Sequence, residues 1–188
     1  MAVRRVVTGH RAGRSVVVSD EAVPAISGPA GPSTEFWRLW GSDDAARCPD
    51  DGALPAYQVF VPPVGGARVV MATLAPGLGT EREEVVEVSP EAALAAAQAL
   101  GAGPGTRMGD RPGLHATDST DVVVVLSGRL TLELEEGGEV HLDAGDVVVQ
   151  NGTQHAWRNH WVEPVRMAVF LVGAHAPSWP EHGTSYKM

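Results

Sequence analysis

The chain contains a single cysteine, Cys48, among its 188 residues. One cysteine cannot form an intramolecular disulfide, so nothing in the sequence points to an oxidising compartment. Cys48 lies in a polar loop with no histidine close to it, which argues against a catalytic thiol. No apolar run approaches the roughly 20 residues that a membrane-spanning helix needs, and the first residues lack an apolar stretch of signal-peptide length. We therefore expect a cytoplasmic protein without a membrane partner.

Basic residues are also scarce. The chain has 14 Lys and Arg residues against 23 Asp and Glu, which gives a formal net charge of -9 and a pI of about 5.2. Because an acidic surface repels phosphate backbones, nucleic acid is excluded as an expected partner. Aromatic residues make up only 5% of the chain, but apolar residues reach 44%, enough to bury a core in a globular domain of this length.

Short runs rich in β-branched residues dominate the pattern, and Gly, Asp and Pro separate them. The strands predicted in the first half are Val3–Thr8, Ser15–Ser19, Glu35–Trp40, Val59–Val61, Arg68–Leu74 and Glu83–Val88. Pro24–Pro32 and Gly41–Pro55 have the composition of loops. A helix is predicted after the N-cap Ser89, with Pro90 in its first turn and Gly101 at its end.

From Leu114 onward the pattern alternates between strand and tight turn. The predicted strands are Asp121–Ser127, Leu130–Leu134, Glu139–Leu142, Val147–Gln150, His155–Asn159 and Val165–Val172. The nearly all-valine strand suits a position buried on both faces or at a tight barrel wall. Short strands at this spacing favour an antiparallel sandwich or barrel. We expect residues 65–188 to form the barrel, and residues 1–64 to form an N-terminal β extension that packs on the barrel or on a second subunit.

Strand parity brings candidate functional residues together, because residues an even number apart share a face. In one continuous strand, four polar residues would share a face: His115, Thr117, Ser119 and Asp121. Asp118 would then point the other way, unless a turn within Thr117–Thr120 breaks the parity. His155 lies on a later strand that can sit beside the first, and Trp157 would share its face.

Two imidazoles and one carboxylate are a plausible ligand set for a divalent metal. The same combination forms the 2-His-1-carboxylate triad, which holds Fe(II) and leaves positions free for substrate or oxygen. Without a metal, the same residues fit a hydrogen-bonded pocket.

Two glycine-bounded segments resemble the two motifs of the cupin superfamily. Gly113–Asp121, followed by Val122–Leu126 and Gly128, looks like the first motif, and Gly145–His155 with Asn159 looks like the second. The resemblance extends over about residues 68–172. It implies a mainly β fold, a cupin double-stranded β-helix or jelly-roll barrel, with the N-terminal extension and one short helix added.

The resemblance also implies site residues. His115, Asp121 and His155 match metal-ligand positions, whereas Thr117 stands where a second histidine is usual, and Asp118 is the substitute ligand if a turn reorients it. The implied cofactor is a divalent Fe, Zn, Ni or Mn ion. Cupin barrels commonly pair, so the resemblance also implies a homodimer.

The first functional hypothesis is a metal-dependent cupin enzyme, in which the ion acts as a Lewis acid on a small organic substrate. A dioxygenase, lyase, isomerase or dehydratase reaction would each fit. Apolar pocket walls at Val123, Val125 and Trp157 predict a substrate with an apolar or aromatic portion. Two alternatives stay open: a metal-free binding module without catalysis, and a metal-free isomerase or cyclase that uses His and Asp as acid and base.

Overall fold

The computed structural model describes residues 2–28, 31–54, 56–84 and 87–175, and this part of the chain is mainly β. In the first half the elements are β1 (Val3–Arg11), β2 (Arg14–Val23), β3 (Ile26–Gly28), β4 (Gly31–Ser42), β5 (Ala67–Leu74) and α1 (Pro90–Leu100). In the second half they are β6 (Thr106–Met108), β7 (His115–Thr117), β8 (Ser119–Ser127), β9 (Arg129–Leu134), β10 (Glu139–Asp143), β11 (Val147–Asn151), β12 (His155–Arg158) and β13 (Val165–Gly173).

Three predictions for the first half differ from this structure. Pro24–Pro32 is not a simple loop, because it contains β3 and the start of β4. Val59–Val61 forms no strand. The described residues of Glu83–Val88 are also not in a strand, and residues 85–86 of that prediction lie outside the described part. The prediction of α1 is confirmed: the Ser89 side chain accepts a hydrogen bond from the Ala92 backbone, and Gly101 ends the helix with a left-handed φ of 85°.

The strands form two large antiparallel sheets and one small one. The six-stranded sheet has the order β11-β8-β13-β5-β4-β3, and the five-stranded sheet has the order β10-β9-β12-β7-β6. The two sheets face each other, since buried side chains of both contribute to one core cluster. The members of this cluster are Ala72, Leu74, Val123, Val125, Leu130, Leu132, Leu142, Val165 and Met167. This is the predicted jelly-roll barrel of the cupin type.

The valine strand β8 faces the core on one side only. Val123 and Val125 are buried, Val122 and Val124 are half-buried, and Leu126 is 45% exposed. The alternation is that of a strand in a sheet with one face on the core. The interpretation of this strand as buried on both faces is therefore wrong.

The N-terminal residues contribute to the fold in two ways. Strands β3 and β4 extend the six-stranded sheet beyond β5. Strands β1 and β2 instead form a hairpin of their own, which is anchored to β4 through a hydrogen bond from Arg5 Nη1 to the Leu39 carbonyl oxygen. Within the described residues, no helix has the length and apolar character required to cross a membrane.

Candidate functional site

The two predicted histidines meet across adjacent strands. His115 on β7 is the cross-strand partner of His155 on β12, and their ring centroids are 4.5 Å apart with planes inclined by 48°. His155 is 4% exposed, whereas His115 is partly exposed. Because both strands belong to the five-stranded sheet, the register of that sheet holds the two imidazoles side by side.

Each imidazole is oriented by a backbone carbonyl two residues earlier. His115 Nδ1 lies 2.9 Å from the Gly113 oxygen, and His155 Nδ1 lies 2.9 Å from the Thr153 oxygen. A carbonyl oxygen only accepts hydrogen bonds, so each Nδ1 carries a proton and Nε2 is the ring atom left to other partners. Burial lowers the pKa of His155 to about 4, and the charge of His115 acts in the same direction. His155 is therefore a neutral imidazole at neutral pH.

The predicted carboxylate, Asp121, lies on β8 in the other sheet and is 5% exposed. Its two oxygens accept hydrogen bonds from Thr117 Oγ1 at 2.9 Å and from Ser119 Oγ at 2.6 Å. Burial raises the pKa of Asp121 above its usual value, while the two hydroxyls and the charge of His115 work against that rise. Asp121 is thus a desolvated carboxyl group whose first partners are neutral hydroxyls.

Asp118 marks the point where the chain passes from one sheet to the other. Strand β7 ends at Thr117 in the five-stranded sheet, and β8 begins at Ser119 in the six-stranded sheet. This break is the turn within Thr117–Thr120 that would interrupt the alternation of faces. On its two sides, the hydroxyls of Thr117 and Ser119 both donate hydrogen bonds to Asp121. Asp118 itself forms an ion pair with Arg107, so a guanidinium engages its carboxylate.

The predicted apolar walls divide into two groups. Val123 and Val125 are 3% and 1% exposed and belong to the core cluster. Trp157 packs against that cluster and also meets His155 edge-on, with ring centroids 5.4 Å apart. Of the three, Trp157 is the residue in contact with a candidate functional side chain.

The arrangement of the possible metal-ligating side chains bears on the predicted metal site. Across the described ranges, no group of three or more His, Cys, Asp or Glu side chains is arranged so that it could hold a metal ion. His115 and His155 are adjacent, but Asp121 is held by its two hydroxyl partners. This arrangement fits a pair of imidazoles beside a buried carboxyl better than a three-ligand metal centre. The metal stays a prediction.

Two features of the site were not found from the sequence. Gln150 on β11 is the cross-strand partner of Asp121 and is 3% exposed. A depression of about 100 Å³, open to solvent, lies beside Thr117 and Ser119 and includes Arg107, Asn151 and His175. A glutamine that directly follows the three valines of β11 was the available signal for Gln150. The depression depends on residues from four separate segments, and no local pattern indicates it.

Comparisons with known proteins agree with the motifs. Residues 103–172 match the family model for the Cupin_2 family, described as "Cupin domain". The "Phomopsin biosynthesis cluster protein D" of Diaporthe leptostromiformis is 49% identical over 53 residues, which cover 26% of this chain and 28% of that protein. The "Oryzines biosynthesis cluster protein J" of Aspergillus oryzae is 47% identical over 51 residues, 27% of this chain and 28% of that protein. The chain thus matches little more than a quarter of the length of these curated relatives.

Solved structures with a similar fold include two enzymes. The polyketide cyclase RemF from Streptomyces resistomycificus is 14% identical, with 79% of this chain and 72% of that chain covered and a TM-score of 0.44. The DMSP lyase DddQ from Ruegeria pomeroyi DSS-3 is 14% identical, with 76% of this chain and 48% of that chain covered and a TM-score of 0.43.

Proposed function

Since residues 103–172 belong to the cupin superfamily, we propose that this protein is a cupin enzyme that transfers protons on a small organic substrate. The acid and base groups would be His115, His155 and Asp121. The observation that carries the proposal is the pairing of His115 with a buried His155 whose pKa is lowered to about 4. Perturbed titratable groups that converge in a concave site are functional candidates.

The histidine pair supplies the proton acceptor. His155 is neutral at neutral pH, and its Nε2 carries a lone pair because Nδ1 donates to the Thr153 carbonyl. A second proton on the pair is opposed, since the charge of His115 lowers the pKa of His155. The pair would therefore take up one proton from the substrate and return it during the same turnover.

Asp121 would support the charge that develops on the substrate. A carboxyl with a raised pKa holds a proton at a higher pH than an exposed carboxyl does, and Thr117 and Ser119 fix its orientation. In an isomerisation, the proton of a carbon next to a carbonyl moves to the imidazole and the electron pair moves to the carbonyl oxygen. The proton then returns to a different atom, so the reaction needs no oxidant or reductant.

The surroundings of the pair favour a substrate with an apolar or aromatic portion. Trp157 meets His155 edge-on, and the apolar core of the barrel begins at Val123 in the opposite sheet. Apolar lining with a few oriented polar groups is typical of small-molecule sites. The solvent-open depression lies beside Thr117 and Ser119, the two hydroxyl residues that bond to Asp121.

The predicted divalent metal is a rival proposal for the same residues. The hydrogen bonds from both Nδ1 atoms to carbonyl oxygens support it, because metal-bound histidines commonly donate their other N–H in this way. The lack of a third converging ligand among the described residues speaks against it. An experiment that measures proton transfer and metal content together separates the two proposals.

We would incubate the purified, untagged protein in D2O with aryl ketones such as acetophenone and phenylacetone, and follow loss of the α-proton signals by NMR. Elemental analysis and treatment with a chelator accompany the assay. The variants are His155→Asn and Asp121→Asn, with the exposed His160→Asn as matched control. We expect exchange that survives the chelator, falls at least about tenfold in the two site variants and is unchanged in the control.

Stoichiometric metal that disappears in His155→Asn, with exchange abolished by the chelator, would overturn the metal-free reaction in favour of the metal-dependent enzyme. Exchange no faster with the native protein than with His155→Asn across the ketones would overturn catalysis, and would favour the binding module.

A further inference from the structure

Gln150 is a buried amide in the wall of the candidate site. It lies on β11 directly opposite Asp121 of β8, and directly opposed residues of an antiparallel pair project from the same face of the sheet. The side chain is 3% exposed. The Gln150 carboxamide and the Asp121 carboxyl are therefore neighbours on the face of the six-stranded sheet that looks toward the five-stranded sheet.

One half of this amide has a partner and the other half has none. Gln150 Oε1 accepts a hydrogen bond from Thr153 Oγ1 at 2.5 Å. Gln150 Nε2 is buried and has no hydrogen-bond partner among the described residues. Most buried polar groups are paired, and a buried donor without an acceptor is unfavourable for the folded state. A donor of this kind beside a site is explained if a ligand supplies the acceptor.

The partner of Oε1 connects Gln150 to the histidine pair. Thr153 donates from its hydroxyl to Gln150 and accepts at its carbonyl from His155 Nδ1. The same short turn therefore positions both the amide and the imidazole. Across the strand pair, Asp121 accepts from Thr117 and Ser119, and among the described residues it does not accept from Gln150 Nε2.

We propose that Gln150 is a substrate-binding residue whose Nε2–H donates to an oxygen acceptor of the substrate, a carbonyl, enolate or carboxylate oxygen. This inference rests on the proposed function and specifies the atom that would receive the developing charge. The terminal torsion of a glutamine side chain is broad, so the amide can turn toward an oxygen that enters next to Asp121. A neutral donor stabilises an oxyanion without adding a charge to the buried site.

The test uses para-nitrophenol, a small aromatic ring with an ionisable oxygen. Its phenolate form absorbs visible light and its phenol form does not, so one titration yields both the affinity and the ionisation state of the bound probe. The informative variant is Gln150→Met, which is close in size and lacks the donor. Gln154→Met is the matched control, because Gln154 Oε1 is also buried without a partner among the described residues but lies against Gly109.

For Gln150→Met we expect the Kd of para-nitrophenol to rise about tenfold, equivalent to about 1.4 kcal/mol. The fraction of bound probe in the phenolate form should fall, because the oxyanion loses its donor. The free energy of unfolding, measured in urea, should change little: the variant removes the unpaired buried donor, and the exposed Thr153 hydroxyl, which loses its bond to Oε1, can donate to water instead. Gln154→Met should leave both the Kd and the ionised fraction as in the native protein.

Three results would overturn this inference: no binding of the probe by the native protein, equal effects of Gln150→Met and Gln154→Met, or a weaker affinity accompanied by an equal loss of stability. Failure of the inference is distinguishable from failure of the proposed function. If Gln150→Met binds normally while His155→Asn abolishes α-proton exchange, only the role of Gln150 is wrong. If Gln150→Met weakens binding but the native protein catalyses no exchange, the donor is real and the catalytic proposal is wrong.

Discussion

Acidification should destabilise this protein through His155. The pKa of His155 is lowered from 6.5 to about 4 in the folded chain, chiefly by burial. Between these two pH values the unfolded chain binds a proton that the folded chain does not bind. Proton binding therefore stabilises the unfolded state relative to the folded state. The contribution is therefore favourable to folding above pH 6.5, and is lost progressively as the pH falls toward 4.

The size of the effect follows from the two pKa values. A difference between 6.5 and about 4 corresponds to about 3 kcal/mol, at about 1.4 kcal/mol per pH unit. Asp121 acts with the opposite sign. Its pKa is raised in the folded chain, so its contribution to stability is fully present below the unfolded pKa and is lost as the pH rises through the folded value. The native protein therefore reports the sum of two opposing terms.

A variant isolates the histidine. His155→Asn removes the titration and keeps an amide donor for the Thr153 carbonyl that His155 Nδ1 bonds. We would measure the free energy of unfolding in urea from pH 7 to about pH 4.5, where most of the roughly 3 kcal/mol should appear. The difference between native protein and variant should shrink steadily on acidification. The exposed His160→Asn should follow the native curve.

The reasoning about burial would be refuted by parallel curves for the native protein and His155→Asn. Equal slopes would mean that His155 titrates alike in the folded and unfolded chains. Its 4% exposure and its hydrogen bond to Thr153 would then not impose the neutral form.

Three further predictions concern single positions. Thr117→Val removes one of the two hydroxyls that donate to Asp121. It should lower the free energy of unfolding by about 1.5 to 3 kcal/mol at neutral pH, and by less at acidic pH where the carboxyl is protonated. An unchanged urea midpoint would contradict this. Gly173→Ala would place its Cβ 1.9 Å from the Pro63 carbonyl oxygen, so a loss of at least about 1 to 3 kcal/mol is expected in thermal or urea unfolding. Phe170 is 43% exposed on the outer face of the six-stranded sheet. If that face forms the interface of the predicted homodimer, Phe170→Glu should convert a dimer to a monomer in sedimentation. A native protein that sediments as a monomer would refute the pairing.

The location of the candidate site could be predicted because its signals are local. Glycines bound the two motifs, and His115, Asp121 and His155 stand at recognisable positions within them. The roles of their neighbours could not be predicted in the same way. Thr117 was a departure from the cupin pattern in the sequence, whereas the structure shows its hydroxyl on Asp121. Asp118 was a candidate ligand, whereas an ion pair with Arg107, eleven positions earlier, engages it.

The sequence by itself determined the class of fold and the face on which most side chains lie. A period of two along each strand, and glycine and proline at the turns, follow from local backbone geometry. The end of α1 at Gly101 is a direct consequence. The alternating burial of β8 is not, because a run of valines carries no alternation of its own.

Only the tertiary structure decided which of these faces meet. The register that pairs His115 with His155 and Gln150 with Asp121 is fixed by contacts between distant strands. The change of sheet at Asp118 depends on the closure of the barrel around its core. Burial then sets the chemistry, because the desolvation that lowers the pKa of His155 and raises that of Asp121 exists only when both sheets are packed together.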